Sequence, residues 1–188
     1  MIIRYLKIFW WSFKDPTGRF NYISGVLRNF PGDLGLKLRN GLLPKYFKSC
    51  GRDIAIQENV RLWNVHKLAV GNSVVMANGS FIQAGGGITL GDHVLLGPDV
   101  KIWSQSHRTT DPDRPILSQG WDYEPVIIGD NVWLAANVII LPGVVLARGC
   151  VVSAGSVVGK KSYPAYSLIA GNPARVIGYR KQNQKEQP

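Results

Sequence analysis

Three imidazoles, His66, His93 and His107, are the chain's only side chains whose ordinary pKa lies close to neutrality. His107 stands in the stretch WSQSHRTTDPDRP, with two carboxylates, Asp111 and Asp113, close behind it. Held beside a hydroxyl, such an imidazole can take the hydroxyl's proton, a general-base contribution of roughly 10²–10⁴ in rate. The alternative is a histidine that pins a loop. Asp111 or Asp113 can orient the imidazole as a carboxylate does in a triad, but Asp-Pro is also a common turn pair, which favours a turn role. His93, in LGDHVLLG, reads as a solvated turn residue, and His66 can line a site. No Gly-x-Ser-x-Gly elbow and no cysteine nucleophile is suggested, so a covalent acyl-enzyme is not expected. Cys50 and Cys150 make no disulfide framework, no Cys/His set has zinc spacing, and a reducing, cytoplasmic setting fits.

The elements that must position His107 announce themselves as a six-residue beat. A bulky aliphatic recurs at Ile56, Leu62, Val70, Met76, Ile82, Leu90, Leu96, Ile102, Ile128, Leu134, Ile140, Leu146, Val152 and Val158. Glycine or alanine often follows it, and a small or β-branched residue comes four places on. Neither a helix nor an ordinary strand has this period. A solenoid does, with one flat side and one turn per hexapeptide, and the small residues are expected to let the chain turn. Three sides make a coil of 18 residues. The first sides, Val70, Leu90, Ile128 and Leu146, are spaced by 20, 38 and 18, so every excess residue falls at one corner. That corner carries Val65–Lys67, then Gln83–Gly87, then a long flap over residues 103–127 with His107 at its root. The expected class is all-β, a parallel β-helix over residues 54–160, after a cap over 1–53 and before a closing segment over 161–188. With one large inward residue per hexapeptide, the core is expected to be narrow and association with other copies to follow.

The formal net charge is +10. It suits a partner carrying anionic lipid, acidic glycan or a phosphate-rich cofactor. No recognition-helix or aromatic-and-basic sheet motif points to nucleic acid. The opening MIIRYLKIFWWSF is apolar, aromatic and basic, with Ile2, Leu6, Phe9 and Phe13 on one helical face. It is too short to span a bilayer and lacks the pattern of a signal peptide. Two readings stay open for it: packing against the solenoid's end, or peripheral contact with a membrane through an in-plane anchor. Turn signals at Pro16–Gly18 and Pro31–Asp33 divide the first fifty residues into short pieces that cap the first coil. The polar tail over 181–188 is expected to be disordered.

The run IIGDNVWLAANVIILPGVVLARGCVVSAGSVVGKKSYPAYSLIAGNPARVIG, preceded by the long loop, resembles the hexapeptide-repeat acyltransferases, and within them the sugar O-acetyltransferases of the galactoside, maltose and polysaccharide types. The resemblance spans about residues 54–180, and its specific parts are the loop followed by IIGDNVWLAANV and the closing AGNPARVIG. It implies a left-handed β-helix, a homotrimer with sites between subunits, and acetyl-CoA as acyl donor to a sugar or glycan; no metal is expected, and the basic, aromatic opening segment points to bacterial surface polysaccharide synthesis at the inner face of the membrane. His107 matches the family's base, which takes the proton as the hydroxyl attacks the thioester directly. Ala136 and Ala154 match the small residues along which pantetheine lies, and their spacing of 18 stacks them on one edge. Lys160, Lys161 and Arg175 match the cations expected at the adenosine phosphates, and Trp133 is assigned to packing near the flap and the pantetheine. Asn78 and Gln83, with Asp111, are the acceptor-side candidates. Asn78 stands one place from the gapless match. Ala84–Gly87 replaces bulkier or acidic residues and suggests an open shelf. Gly178 stands where a further cation is expected, for which Arg180 or Lys181 can substitute. Transfer to the amine of an amino sugar, a non-catalytic binding solenoid, and a carbonic-anhydrase-like metal enzyme are the competing readings; the last lacks three convergent imidazoles.

Overall fold

In a computed structural model, which describes the backbone of residues 2–180, the hexapeptide beat winds into a three-sided parallel β-helix. The first face stacks Ser49–Cys50, Leu68–Val70, Ile88–Leu90, Val126–Ile128, Val145–Leu146 and Ser162–Tyr163. The second stacks Ala55–Ile56, Val75–Met76, Leu95–Leu96, Trp133–Leu134, Val151–Val152 and Ser167–Gly171, closed by antiparallel Ala174–Tyr179. The third stacks Arg61–Trp63, Phe81–Gln83, Lys101–Trp103, Ile139–Ile140 and Val157–Val158. Successive coils pair in register, as in Met76↔Leu96↔Leu134↔Val152. The winding begins at Ser49–Cys50 and continues to Gly171, so the cap is shorter and the solenoid longer than the beat alone marks.

The core is fuller than one inward residue per hexapeptide. The beat residues from Met76 to Val152 are at most 1% exposed, and so are the residues four places on, Val74, Val94, Val100, Val132, Val138, Val144 and Cys150. Each hexapeptide therefore sends two side chains inward, one on either side of its turn. The turns use a different position from the one expected. The third residue after the beat adopts positive φ, as at Asn59, Ser73, His93, Asp99, Asn131 and Asn137, a conformation that Asn and Asp tolerate best among non-glycine residues. The glycines just after the beat do other work. A Cβ on Gly97 would meet the Ala136 amide and the Leu134 carbonyl of the next coil, so glycine there permits close stacking.

Three helices cap the first coil: α1 (Ile2–Lys14), α2 (Pro16–Leu27) and α3 (Gly32–Leu42). Asp15 starts α2 by accepting the Gly18 amide at 2.8 Å, with Pro16 in the first turn, where its missing N–H costs nothing. Arg39, only 2% exposed, ties the cap to the solenoid. Its guanidinium donates to the carbonyls of Ile56 (2.8 Å), Leu27 (3.0 Å) and Phe30 (2.8 Å). Burial lowers its pKa, and the charge of Glu58 acts in the opposite direction. Phe9 and Phe13 of the expected apolar face stack on one another, and Tyr22 meets Phe9 edge-on and Phe13 at a tilt. The side chains of Ile2 and Leu6, and the tail over 181–188, lie outside the described residues. Among the described residues no helix is long and apolar enough to cross a membrane.

Candidate active site

The corner between the third and first faces carries all three insertions. Val65–Lys67 forms one turn of 3-10 helix, Ala84–Gly87 follows in the next coil, and the flap leaves after Trp103 in the third. We call this the flap ridge. The flap's base is a two-stranded ribbon in which Gln105–His107 pairs antiparallel with Trp121–Tyr123, His107 opposite Trp121. The exposed imidazole lies against the Trp121 ring, with centroids 3.8 Å apart and planes tilted by 32°. The ribbon is pinned by Arg108, whose Nε donates to Asp122 at 2.9 Å, and by the Arg108 amide donating to the Gly120 carbonyl. Sequence reasoning missed Trp121, because the pairing that brings it to His107 spans thirteen intervening residues of irregular chain.

The indole packs against His107, and among the described residues no carboxylate pairs with the imidazole. Asp111 is occupied in the flap's own turn: its carboxylate accepts the Asp113 amide at 3.1 Å and faces Arg114 at 4.0 Å. Its backbone pairs twice with the buried Gln119 side chain. The turn reading of Asp111 and Asp113 is the one the geometry favours.

The Ala84–Gly87 stretch is the open shelf expected only in part: Gly85–Gly87 line a cleft, and two of them also seat the flap. A Cβ on Gly85 would collide with the Gln105 side chain, and one on Gly86 with the Ser104 carbonyl and the Glu124 amide. These glycines make room for the flap's roots. Gly87, with φ of +94°, is the one with free space. Gln83 lies at this root, its carbonyl accepting from the Ser104 amide and hydroxyl. His66 reaches the same ridge one coil below Gly85 and lines a cleft there. His93, at a positive-φ turn, is exposed.

Ala136 and Ala154 stack as counted, with the Gly155 amide donating to the Ala136 carbonyl at 2.9 Å. Their ridge is the one between the second and third faces, and Asn78 and Pro98 continue the column below them. Asn78 lines a cleft with Arg28 and Arg61 there. Within one chain, then, Asn78 and the two alanines stand one full side away from His107, on the order of 15 Å at about 3.3 Å per extended residue. Trp133 points outward from the second face, 47% exposed, and not toward the flap of its own chain, because that face lies opposite the flap ridge. The three expected cations also divide. Lys160 forms an ion pair with Glu124 at the flap's return. Lys161 lies 5.7 Å from the Tyr163 ring centroid, and Arg175, paired across the closing hairpin with Ala170, counteracts the upward push that burial gives the Tyr163 pKa. Arg180 donates to the Gly149 carbonyl at 3.1 Å; Lys181 lies outside the described residues.

Residues 125–160 match the family model described as bacterial transferase hexapeptide (six repeats). A Dictyostelium discoideum protein named as an acetyltransferase is 33% identical over 153 residues, covering 81% of this chain and 78% of that protein. This chain belongs to the hexapeptide-repeat acetyltransferases. The family's left-handed β-helix is its fold, and acetyl transfer is its chemistry. WcaF of Escherichia coli K12, named for colanic acid biosynthesis, is 30% identical over 143 residues, covering 76% of this chain and 75% of that protein. A galactoside acetyltransferase solved with coenzyme A superposes with a TM-score of 0.77 at 26% identity, covering 87% of this chain and 80% of that one.

Proposed function

We propose that this acetyltransferase moves an acetyl group from acetyl-CoA to a sugar hydroxyl, in the building of a bacterial surface polysaccharide. The observation that carries the reading is an exposed imidazole at the flap root, on a ridge whose neighbour presents stacked small residues. His107 takes the proton from the acceptor hydroxyl as that oxygen attacks the thioester carbonyl; the acetyl ester forms, the carbon–sulfur bond breaks and the coenzyme A thiolate leaves. Trp121 holds the ring in place. The alanine column lets pantetheine approach the backbone, and Lys161 and Arg175 answer the nucleotide's phosphates. The donor reading is supported by the coenzyme A solved with the galactoside acetyltransferase and by the acetyl-CoA solved with a hexapeptide-repeat acetyltransferase of Vibrio cholerae.

The two ridges belong to one site only if separate copies contribute them, which favours an oligomer, and the resemblance makes that oligomer a homotrimer. The outward column of the second face is apolar on every rung from Ala55 through Val75, Leu95, Trp133 and Val151 to Leu168. Packing it against the first face of the next copy, where Ile127 and Val145 point out, brings the alanine ridge of one copy beside the flap ridge of the other. Leu117, 87% exposed at the flap's tip, then has an apolar surface to cover.

The enzyme works at the inner face of the membrane. Residues 1–48 carry nine basic and two acidic side chains, residues 49–174 nine of each, and residues 175–188 four and one, so the excess of +7, 0 and +3 lies outside the solenoid. Trp10, Trp11 and Tyr5 of α1 are 63%, 79% and 63% exposed beside Lys7 and Lys14, a composition suited to an anionic interface. Mass spectrometry of candidate glycans incubated with labelled acetyl-CoA tests the reaction. The expected product gains one labelled acetyl group and loses it in mild alkali; a gain that survives alkali means an amide, and no gain in any glycan removes the reading.

A further inference from the structure

We infer that the acceptor sugar carries an anionic group, carboxylate or phosphate, which is held in a cationic cleft beneath the flap. This rests on the reading that the acceptor lies against the flap face that bears His107. That face is identified by its contacts. Gln105 covers Gly85, and Tyr123, its partner across the ribbon, takes the Lys67 amine 5.6 Å from its ring centroid. Alternate residues of a strand share a face, so His107 and Trp121 point the same way as Gln105 and Tyr123. His107 stands two residues further out, about 7 Å along the strand.

Under that face lies a cleft of about 540 Å³ lined by Lys48, His66, Lys67, Gly85–Gly87 and Tyr123. Among the described residues its ionisable groups are two lysines and a histidine beside one phenol, with no carboxylate in the lining. None of the three ion pairs among the described residues involves Lys48, His66 or Lys67. Lys67 is positioned by its amine donating to the Gly85 carbonyl at 2.8 Å, which leaves further N–H groups for a ligand. Lys48 is fixed at its backbone, where the amide donates to the carbonyls of Leu68 (2.9 Å) and Val65 (3.2 Å). The two acidic side chains that flank Tyr123 are both engaged elsewhere, Asp122 by Arg108 and Glu124 by Lys160. Unpaired cations of one sign around a concave surface concentrate anions there. A neutral sugar uses none of that charge, whereas an acidic one gains charge-assisted hydrogen bonds. Tyr123 and the free space at Gly87 leave room for the ring that bears the anion.

Calorimetric titration of the full-length protein with glucose, glucuronate and glucose 1-phosphate reads this without turnover, so the result does not depend on whether His107 is the base. The expected result is binding of an acidic sugar about tenfold tighter than glucose, weakening as salt rises. A lead by glucuronate assigns the cleft to a carboxylate and a lead by glucose 1-phosphate to a phosphate. Lys48→Met is expected to cut the preference about threefold, and Lys48→Met with Lys67→Met to abolish it, at the scale of exposed charge pairs; coenzyme A affinity, measured alongside, reports an intact fold. Equal binding of glucose and both acidic sugars, no binding by either acidic sugar, or a preference unchanged in both variants would overturn the inference. The acetyltransferase reading would stand in each case, since it fails only if no labelled acetyl is transferred.

Discussion

At the scale of the residue, the proposal gives the chemistry to one imidazole. His107 was found by its neighbours in sequence and by counting coils, both of which depend on local spacing. Trp121 escaped because its partnership with His107 depends on how a flap folds back, which no periodicity records. The same limit hides a second role of the glycines at 85 and 86, which make room for Gln105, Ser104 and Glu124 arriving from the next coil. His107→Ala is expected to lower kcat by about 10²–10⁴ while leaving coenzyme A affinity and assembly near wild type. Turnover measured by release of the coenzyme A thiol checks this, and an unchanged kcat would remove the base. Trp121→Ala keeps the imidazole but frees its ring, so a smaller loss, about tenfold, is expected in the same assay. Cys150, 0% exposed with its thiol donating to the Pro164 carbonyl, is raised in pKa by burial and stays out of the chemistry.

At the scale of the element, the solenoid was legible because its rule is one-dimensional: each side chain's inward or outward aim repeats with the coil. The common corner of the three insertions followed from arithmetic on the same beat. What the beat does not contain is the cap. The turn signals at Pro16–Gly18 and Pro31–Asp33 stand at the starts of α2 and α3, but the helices' attachment runs through Arg39, an arginine that nothing in the local sequence marks as buried. Replacing it by leucine strands the carbonyls of Leu27, Phe30 and Ile56 and is expected to cost about 2–5 kcal/mol. Chemical denaturation would register it as an earlier loss of the helical signal. A cap that unfolds at the wild-type midpoint in Arg39→Leu would mean that the apolar contacts of Phe20 and Leu27 suffice.

At the scale of the whole molecule, charge and chemistry are partitioned: a solenoid of balanced charge carries the site, and the basic excess sits on its helical cap and closing segment. Co-sedimentation with vesicles containing phosphatidylserine is expected to retain the wild-type protein, and Trp10→Ser with Trp11→Ser to release most of it; equal pelleting with neutral vesicles would contradict the charge-led reading. The central claim is that one active site needs two ridges that a single chain holds apart. Its most direct test mixes two variants that are inactive alone, His107→Ala and Ala136→Trp, by joint refolding or co-expression. Sites between copies predict recovery of about one quarter of wild-type activity, because a random mixture supplies an intact flap ridge beside an intact alanine ridge at about one site in four. A mixture as inactive as its parents, with mixed assembly verified by mass, would contradict the account.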